Sequence, residues 1–315
     1  MYEPKKVVGE WDNVQEMDEE IVDKTADVAQ LENSEVLWHD TVLHVPIEKD
    51  YRVVGKSSGY VLTTDIDGHL KLYNLTNKET TQLDLEKTVA AASTDGDVVA
   101  VVFASGKLGL YSLKTKKLLY KLEGTTSIAL DARIVNPYFM NDLVLFMTLD
   151  GKAIIVNKKL KKRLRTIIIS ATEFFNNVIY FDIVSDKLIV ATSTKILSFG
   201  SSTQRIEYEP REIIHDDSNL YVATKQGDIV LLSPNLEMKK KVHFPFAHFL
   251  GLALQDKTLY ALEKEGYLIA LSKDLLTYKV YDVDLPDESY VYPGKSKFFV
   301  GDEAVILQSD ANSSK

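Results

Sequence analysis

One short pattern recurs along the chain and decides the fold. It is clearest at Ser105-Gly106-Lys107-Leu108-Gly109-Leu110-Tyr111, where a glycine turn leads into alternating apolar residues. Similar stretches occupy residues 67–73, 150–156, 226–232 and 265–271. Apolar residues at every second position are typical of β-strands, and a glycine supplies the turn before each strand. The chain is therefore predicted to be a series of short β-strands built from one repeating unit.

The spacing of these copies predicts a β-propeller. The turn glycines Gly68 and Gly106 are 38 residues apart, and the 76 residues between Gly151 and Gly227 leave room for one more copy. Residues 193–199 supply that copy without a glycine, and residues 301–307 supply the last one. A repeat of about 40 residues is the size of one four-stranded blade. We therefore predict an all-β fold, a seven-bladed β-propeller of four-stranded antiparallel blades.

The two ends of the chain determine how the ring closes. The residues after Leu307 are polar, so the last predicted blade lacks its final strand. Residues 35–38 and 41–47 could supply it, and we predict that this N-terminal strand closes the ring. Residues 1–34 carry a net charge of −7 and are predicted to form an acidic flexible leader, with one weak helix as the alternative. A single propeller then covers residues 35–308, followed by a polar tail at 309–315.

Composition argues against several classes of function. The 315 residues include no cysteine, which excludes disulfides, thiolate zinc sites and cysteine nucleophiles. A formal net charge of −9 disfavours nucleic acid as a partner, because phosphate contact needs clustered Lys and Arg. No stretch approaches the ~20 apolar residues of a membrane-spanning helix. The first residues contain no signal-peptide core, which by itself favours the cytoplasm.

The repeating unit also resembles a known family. Each copy has a glycine turn, an apolar strand, a polar or basic turn such as residues 112–117, and a closing strand. This resembles the PQQ-like (quinoprotein-like) repeat of β-propellers, and among these the BamB-type bacterial envelope lipoproteins. The resemblance implies a protein-interaction scaffold, lipid-anchored on the periplasmic side of the cell envelope and acting in outer-membrane assembly. Two features depart from it: Trp11 and Trp38 lie outside the predicted blades, and no cysteine can carry a lipid.

Candidate chemical residues are better explained by the fold. Acidic side chains recur in the turn between the first and second strands of the predicted blades, at Asp95, Asp97, Asp186, Asp216, Asp217 and Asp256. Asp is favoured there because it accepts hydrogen bonds from nearby backbone amides. Residues 65–68 begin like a calcium loop, but Thr76 stands where a bidentate Glu is needed. The six histidines show no metal-ligand spacing. We expect no catalytic residue, no metal and no cofactor.

Aromatic residues are concentrated in the segments that connect the predicted blades. The densest segment follows the fifth predicted blade, at residues 241–249, and Phe174-Phe175 is another example. Connections between blades gather at one end of a propeller, where ligands are usually held. Such rings could together form a patch for a protein partner, with core packing as the alternative for each ring. The predicted partner-binding residues are Phe244, Phe246, His248, Tyr138, Phe139, Tyr290 and Tyr292.

The most basic segment is residues 158–165, Lys-Lys-Leu-Lys-Lys-Arg-Leu-Arg. It is predicted to form the turn and the start of the outermost strand in the third predicted blade, and Lys239-Lys240-Lys241 repeats this placement in the fifth. Lysines on an outer strand discourage association between sheet edges. Contact with lipid headgroups, an acidic partner or nucleic acid is the alternative.

These observations predict a monomeric, non-catalytic protein-interaction scaffold of the bacterial cell envelope. The expected partner is a protein, with an outer-membrane assembly component as the hypothesis that the resemblance adds. Membrane attachment through the N-terminal leader is part of the same hypothesis. Two alternatives stay open: a cytoplasmic propeller adaptor, and a propeller hydrolase or lyase.

Overall fold

The computed structural model describes residues 1–125, 131–171, 176–286 and 289–308. Within these ranges the strands form eight β-sheets, which are the blades of a propeller, and no helix is found. Two short strands open the chain, β1 (Gly9–Glu10) and β2 (Val14–Glu16), and both join blades at the far end of the sequence. The described residues therefore include no helix that could cross a membrane.

The first four blades follow in chain order. Blade 1 contains β3 (Ile21–Lys24), β4 (Ala29–Leu31), β5 (Val36–Trp38) and β6 (Thr41–Leu43). Blade 2 contains β7 (Arg52–Ser57), β8 (Tyr60–Thr64), β9 (His69–Asn74) and β10 (Thr80–Asp84). Blade 3 contains β11 (Val89–Thr94), β12 (Val98–Phe103), β13 (Leu108–Ser112) and β14 (Leu118–Leu122). Blade 4 contains β15 (Tyr138–Met140), β16 (Leu143–Met147), β17 (Lys152–Asn157) and β18 (Lys162–Ile168).

The remaining blades complete the ring. Blade 5 contains β19 (Val178–Val184), β20 (Lys187–Thr192), β21 (Lys195–Phe199) and β22 (Thr203–Glu207). Blade 6 contains β23 (Pro210–His215), β24 (Leu220–Thr224), β25 (Asp228–Leu232) and β26 (Met238–His243). Blade 7 contains β27 (Phe249–Gln255), β28 (Thr258–Glu263), β29 (Tyr267–Ser272) and β30 (Tyr278–Asp282), with β1 added beside β30. Blade 8 contains β31 (Val291–Pro293), β32 (Lys297–Val300) and β33 (Glu303–Ile306), and β2 is its fourth strand.

The hydrophobic core lies between the blades. Strand side chains alternate between the two faces of a sheet, so each blade packs one face against each neighbour. In blade 1, Val28 and Val36 pack toward blade 2, while Ala29 and Leu37 pack toward blade 8. Because both faces are buried, a central strand such as β12 is apolar at every position from Val99 to Phe103.

The alternating strand directions define two ends of the ring. The connections between blades and the turns between second and third strands lie at one end, here called the linker face. The turns between first and second strands, and between third and fourth strands, lie at the other end, here called the hairpin face. The first strand of each blade is innermost and lines the central channel.

The all-β propeller of four-stranded blades is confirmed, but the predicted number of seven blades is wrong. All seven predicted repeats are blades, and an eighth precedes them at Ile21–Leu43. The sequence pattern missed it because its strands have only three or four residues and its turn between the second and third strands has no glycine. Ser34 takes the left-handed conformation there, at φ 69°, where Gly68 and Gly106 have φ 92° and 81°.

The predicted leader and closing strand also differ from the structure. Residues 1–34 are not a free tether, since Tyr2, Trp11 and Ile21 are each at most 6% exposed. An N-terminal strand does complete the last blade, but it is β2, which pairs with β33 through Val14 and Val305. The strand predicted for that role, β6, pairs with β5 inside blade 1, and Trp38 lies within that blade. The propeller therefore begins before residue 35, and the tail at 309–315 lies outside the described residues.

Candidate functional site

The connection between blades 6 and 7 contains three of the predicted contact residues. Phe244 is 2% exposed, and its ring packs edge-on against Phe249 at 6.0 Å and Tyr278 at 5.1 Å between ring centroids. Its backbone N–H donates to the carbonyl of Gly227 at 2.8 Å, and its own carbonyl accepts from the N–H of Ala247 at 3.1 Å. Phe244 is therefore a core residue, and its ring is covered by other parts of the chain.

Phe246 has the opposite environment. It occupies the tip of the same turn with a φ of 66°, a conformation that a bulky residue rarely adopts, and its side chain is 80% exposed. The hydrogen bonds and the packing of Phe244 fix the turn on the propeller. An exposed phenylalanine on a fixed turn is a suitable anchor for a protein partner.

His248 is part of the support of this connection. An Nη of Arg211 donates to its Nε2 at 2.8 Å, and its backbone N–H donates to Oε1 of Glu263 at 2.9 Å. Burial, and then the charge of Arg211, lowers the pKa of His248, so the ring is neutral and accepts the bond. Glu263 is fully buried, and burial raises the pKa of its carboxyl. His248 thus links the innermost strands of blades 6 and 7.

The other predicted contact residues are distributed around the ring. Tyr138 is 42% exposed and tilts against Phe181 at 5.2 Å, while the half-buried ring of Phe139 faces the Lys158 ammonium. Tyr290 is 47% exposed in the connection between blades 7 and 8. Tyr292 is buried, and its hydroxyl donates to the Asp27 carbonyl at 2.8 Å and accepts from the His39 N–H at 3.0 Å.

These placements do not form the single aromatic patch that the sequence suggested. Phe246 and Tyr290 lie on the two connections that flank blade 7, whereas Tyr138 belongs to blade 4, three blades away. Phe244 and Tyr292 are in the core. Phe174 and Phe175 lie outside the described residues. The exposed aromatic groups on the linker face are therefore Phe246 and Tyr290 among the seven predicted residues.

The sequence analysis missed the segment that crosses the central channel. Residues 131–137 precede β15 and contact the innermost strands of several blades. The Asn136 amide donates to Oδ2 of Asp27 at 2.7 Å and to the Val54 carbonyl at 3.0 Å, and its oxygen accepts from the Ala92 N–H at 3.1 Å. One side chain thus joins blades 1, 2 and 3.

The other end of this segment binds blades 5 and 6. Arg133 forms an ion pair with Asp131 at 2.5 Å and donates to the carbonyls of Pro210, at 3.1 Å, and Arg211. Asn177 donates to the carbonyls of Asp131 and Arg133 at 3.0 and 3.3 Å. The inner edges of the first strands have unpaired backbone groups, and this segment satisfies some of them. The signal in the sequence was the long interval of 45 residues between Gly106 and Gly151.

Charged side chains accompany this segment in the channel. Burial raises the pKa values of Asp27 and Glu212, although the Asn136 bond opposes the shift at Asp27 and the charges of Arg133 and Lys24 oppose it at Glu212. Burial lowers the pKa of Lys24, whose ammonium donates to the Val291 carbonyl. The channel is therefore lined by charged side chains, and Asp27 and Lys24 hydrogen-bond to groups of other parts of the ring.

Two of the acidic turn residues, Asp95 and Asp216, have the predicted structural role. Asp95 accepts hydrogen bonds from the N–H groups of Asp97 and Val98, at 3.0 and 2.8 Å, in the turn between the first and second strands of blade 3. Asp216 accepts from the Ser218 N–H at 2.9 Å in the equivalent turn of blade 6. These carboxylates cap backbone donors locally.

One group of potential metal ligands is present among the described residues. The ligand atoms of Asp65, Asp67 and His69 lie within 4.8 Å of one another on the linker face of blade 2. The Asp65 carboxylate already accepts from the backbone N–H groups of Gly68 and His69, each at 2.9 Å, and contacts the His69 ring at 2.5 Å. These hydrogen bonds are those of a turn, and they account for the clustering of the three side chains.

The basic run occupies the predicted turn and outer strand, now in blade 4. Lys158 and Lys159 form ion pairs with Asp95 and Asp142, the latter at 3.0 Å, and the Arg165 guanidinium lies over the Phe199 ring at 4.4 Å. The second run, at residues 239–241, is in the outer strand β26. Both runs therefore lie on outer strands, as the edge-protection interpretation requires.

Comparison with known proteins gives two kinds of likeness. No protein-family model matches the chain. The plasminogen-binding protein PgbB of Helicobacter pylori strain J99 is 33% identical over 204 residues, which is 63% of this chain and 38% of that protein. PgbB of a second H. pylori strain is 32% identical over 204 residues and 37% of its length. The chain thus spans less than two fifths of these curated relatives.

Solved structures share the fold at low sequence identity. BamB from Moraxella catarrhalis has a TM-score of 0.68 at 12% identity, over 92% of this chain and 97% of that one. The C-terminal WD40 domain of Sif2 has a TM-score of 0.67 at 12% identity, over 94% and 99%. The computationally designed protein Ika8 has a TM-score of 0.66 at 10% identity, over 96% and 99%. The chain is a propeller that resembles BamB in fold.

Proposed function

We propose that this protein is a non-catalytic, protein-binding scaffold of the bacterial cell envelope. The observation that carries the proposal is the exposed ring of Phe246 on a turn fixed by the core residue Phe244. Propellers hold such turns rigidly, so a partner that binds there meets a surface that needs little ordering. Two relatives are named for binding plasminogen, and BamB shares the fold, which supports a protein as the ligand.

The partner is expected on the outer surface of the propeller. In the channel, the amide of Asn136 and the guanidinium of Arg133 are hydrogen-bonded to groups of four blades. Phe246 and Tyr290, on the connections around blade 7, are 80% and 47% exposed. We propose the linker face around blade 7 as the contact surface, with Phe246 as its main anchor.

We further propose that the protein is a PQQ-like propeller located in the cell envelope. The strand and turn repeat supports membership of the PQQ-like propellers, and the likeness to PgbB and BamB supports an envelope location. A role in outer-membrane assembly is the most specific form of this proposal. Residues 1–16 pack on the outside of the propeller and residues 21–34 belong to blade 1, so we do not assign a membrane tether to this segment. We propose that the isolated chain is a monomer.

The first ligand to test is plasminogen, immobilised on a biosensor surface and titrated with the purified chain. We expect saturable binding that falls at least tenfold for Phe246→Ala and is unchanged for Leu160→Ala, an exposed residue on the hairpin face of blade 4 (69% exposed). In parallel, crosslinking in native cells followed by fractionation would identify envelope partners. Absence of plasminogen binding together with recovery of only cytoplasmic proteins would contradict the proposal and favour the cytoplasmic adaptor.

A further inference from the structure

The first sixteen residues form an arm that lies across the outside of three blades. Tyr2 is 4% exposed between blades 6 and 7, β1 pairs with the outer strand of blade 7, and Trp11 is 6% exposed between blades 7 and 8. The arm then completes blade 8 as β2. Between the two aromatic anchors, the side chains of Lys5–Glu10 are all exposed.

The pocket around Tyr2 is built by the propeller itself. The Tyr2 ring meets Phe244 at 6.1 Å and Tyr267 at 5.6 Å between centroids, in edge-to-face geometry with interplanar angles of 80° and 87°. The same core cluster contains Val280 of the outer strand β30. Edge-to-face packing is a favourable arrangement for aromatic rings. The pocket therefore selects an aromatic side chain by shape and by ring geometry.

The backbone of the arm adds a fifth strand to blade 7. Gly9 and Glu10 pair in parallel with Tyr281 and Asp282, and the Val8 N–H donates to the Val280 carbonyl at 2.8 Å. Among the described residues, blade 7 is the one blade with five strands. Main-chain hydrogen bonds on a sheet edge, combined with a pocket for a side chain, are the features of strand-addition peptide binding.

We propose that the outer edge of β30 and the pocket of Phe244 and Tyr267 form a binding groove for extended peptide segments with an aromatic side chain. The arm is its intramolecular occupant and must be displaced at Tyr2 before a partner can enter. Since the side chains between the two aromatic anchors point to solvent, the groove should accept many different residues in that part of a bound peptide. This proposal deepens the proposed protein-binding function by naming the chemistry of a partner segment.

The test uses a fluorescent peptide of residues 1–10 of this chain and a full-length Tyr2→Ala/Val8→Pro variant. The substitutions remove the aromatic anchor and the N–H that bonds Val280, while Trp11 and β2 still complete the ring. By anisotropy, we expect the peptide to bind this variant at least tenfold more tightly than the wild-type chain. A Tyr→Ala version of the peptide should bind the variant at least tenfold more weakly.

Thermal unfolding and circular dichroism establish that the double variant is folded. If it is not, Tyr2→Ala alone, which keeps every backbone bond of the arm, is the host for the same titration. Equal affinity for the two peptides, or no binding to a folded host, would overturn the groove. The ligand in this test is the chain's own sequence, so its result is independent of whether plasminogen binds.

Discussion

Replacing Asn136 by alanine should loosen the propeller at its centre. The side chain joins three blades through hydrogen bonds of 2.7 Å to Asp27, 3.0 Å to Val54 and 3.1 Å from Ala92. An asparagine amide has both donors and an acceptor, so one residue can satisfy groups of both kinds on strand edges. Alanine leaves the Val54 carbonyl and the Ala92 N–H without this partner.

The magnitude follows from the kinds of bond that are lost. Each of these hydrogen bonds contributes about 1 kcal/mol net, so the three together give about 3 kcal/mol. For a chain of this size, about 2 °C of melting temperature corresponds to each kcal/mol, which predicts a fall of about 6 °C. The loss should be cooperative because three blades share the residue.

Differential scanning calorimetry of Asn136→Ala beside Asn235→Ala measures this effect. Asn235 is an exposed residue in a turn of blade 6 and is expected to change the melting temperature by less than about 1 °C. Gly55→Ala should also lower the melting temperature, because its added Cβ would lie 2.3 Å from Nδ2 of Asn136 and displace that amide from its partners. A melting temperature of Asn136→Ala within about 1 °C of the wild type would show that the Asn136 hydrogen bonds between blades contribute little to the stability of the fold.

Three further predictions concern the core, the turn and the channel. In chemical denaturation, Ile21→Ala should lower the free energy of unfolding by about 2–5 kcal/mol, and Val22→Ala, at the exposed neighbouring position, by less than about 0.5 kcal/mol. Equal, small effects of the two substitutions would support a flexible leader instead. Phe244→Ala should cost about 3–5 kcal/mol and Phe246→Ala less than about 0.5 kcal/mol, so a large loss at Phe246 would mean that it is a core residue. Because burial raises the pKa of Glu212 above its usual 4.5, the ionised form is disfavoured in the folded state, and wild-type stability falls as pH rises from about 4.5 through the raised pKa. Glu212→Gln lacks this loss, so its stability relative to the wild type should increase as pH rises above about 4.5, and a decrease measured by thermal unfolding would contradict the direction of the Glu212 pKa shift.

The sequence alone determined the class of fold and the nature of most turns. Strand alternation and the recurring glycine located seven blades, because a left-handed turn conformation at positions such as Gly68 and Gly106 excludes most other residues. Acidic residues such as Asp95 were recognised as caps for the same kind of local reason. These turns and caps depend on the conformation and hydrogen bonds of a few neighbouring residues, so they can be predicted from the local sequence without knowledge of distant contacts.

Only the tertiary structure decided the number of blades, the course of the N-terminal arm and the environment of each aromatic ring. Blade 1 has strands of three or four residues and Ser34 in place of the turn glycine, so packing against blades 2 and 8 defines it as a blade. Phe244 and Phe246 are two positions apart, yet one is buried and the other is 80% exposed. Their difference arises because Phe244 meets Tyr2, a residue 242 positions earlier, and such long-range contacts leave no periodic signal in the sequence.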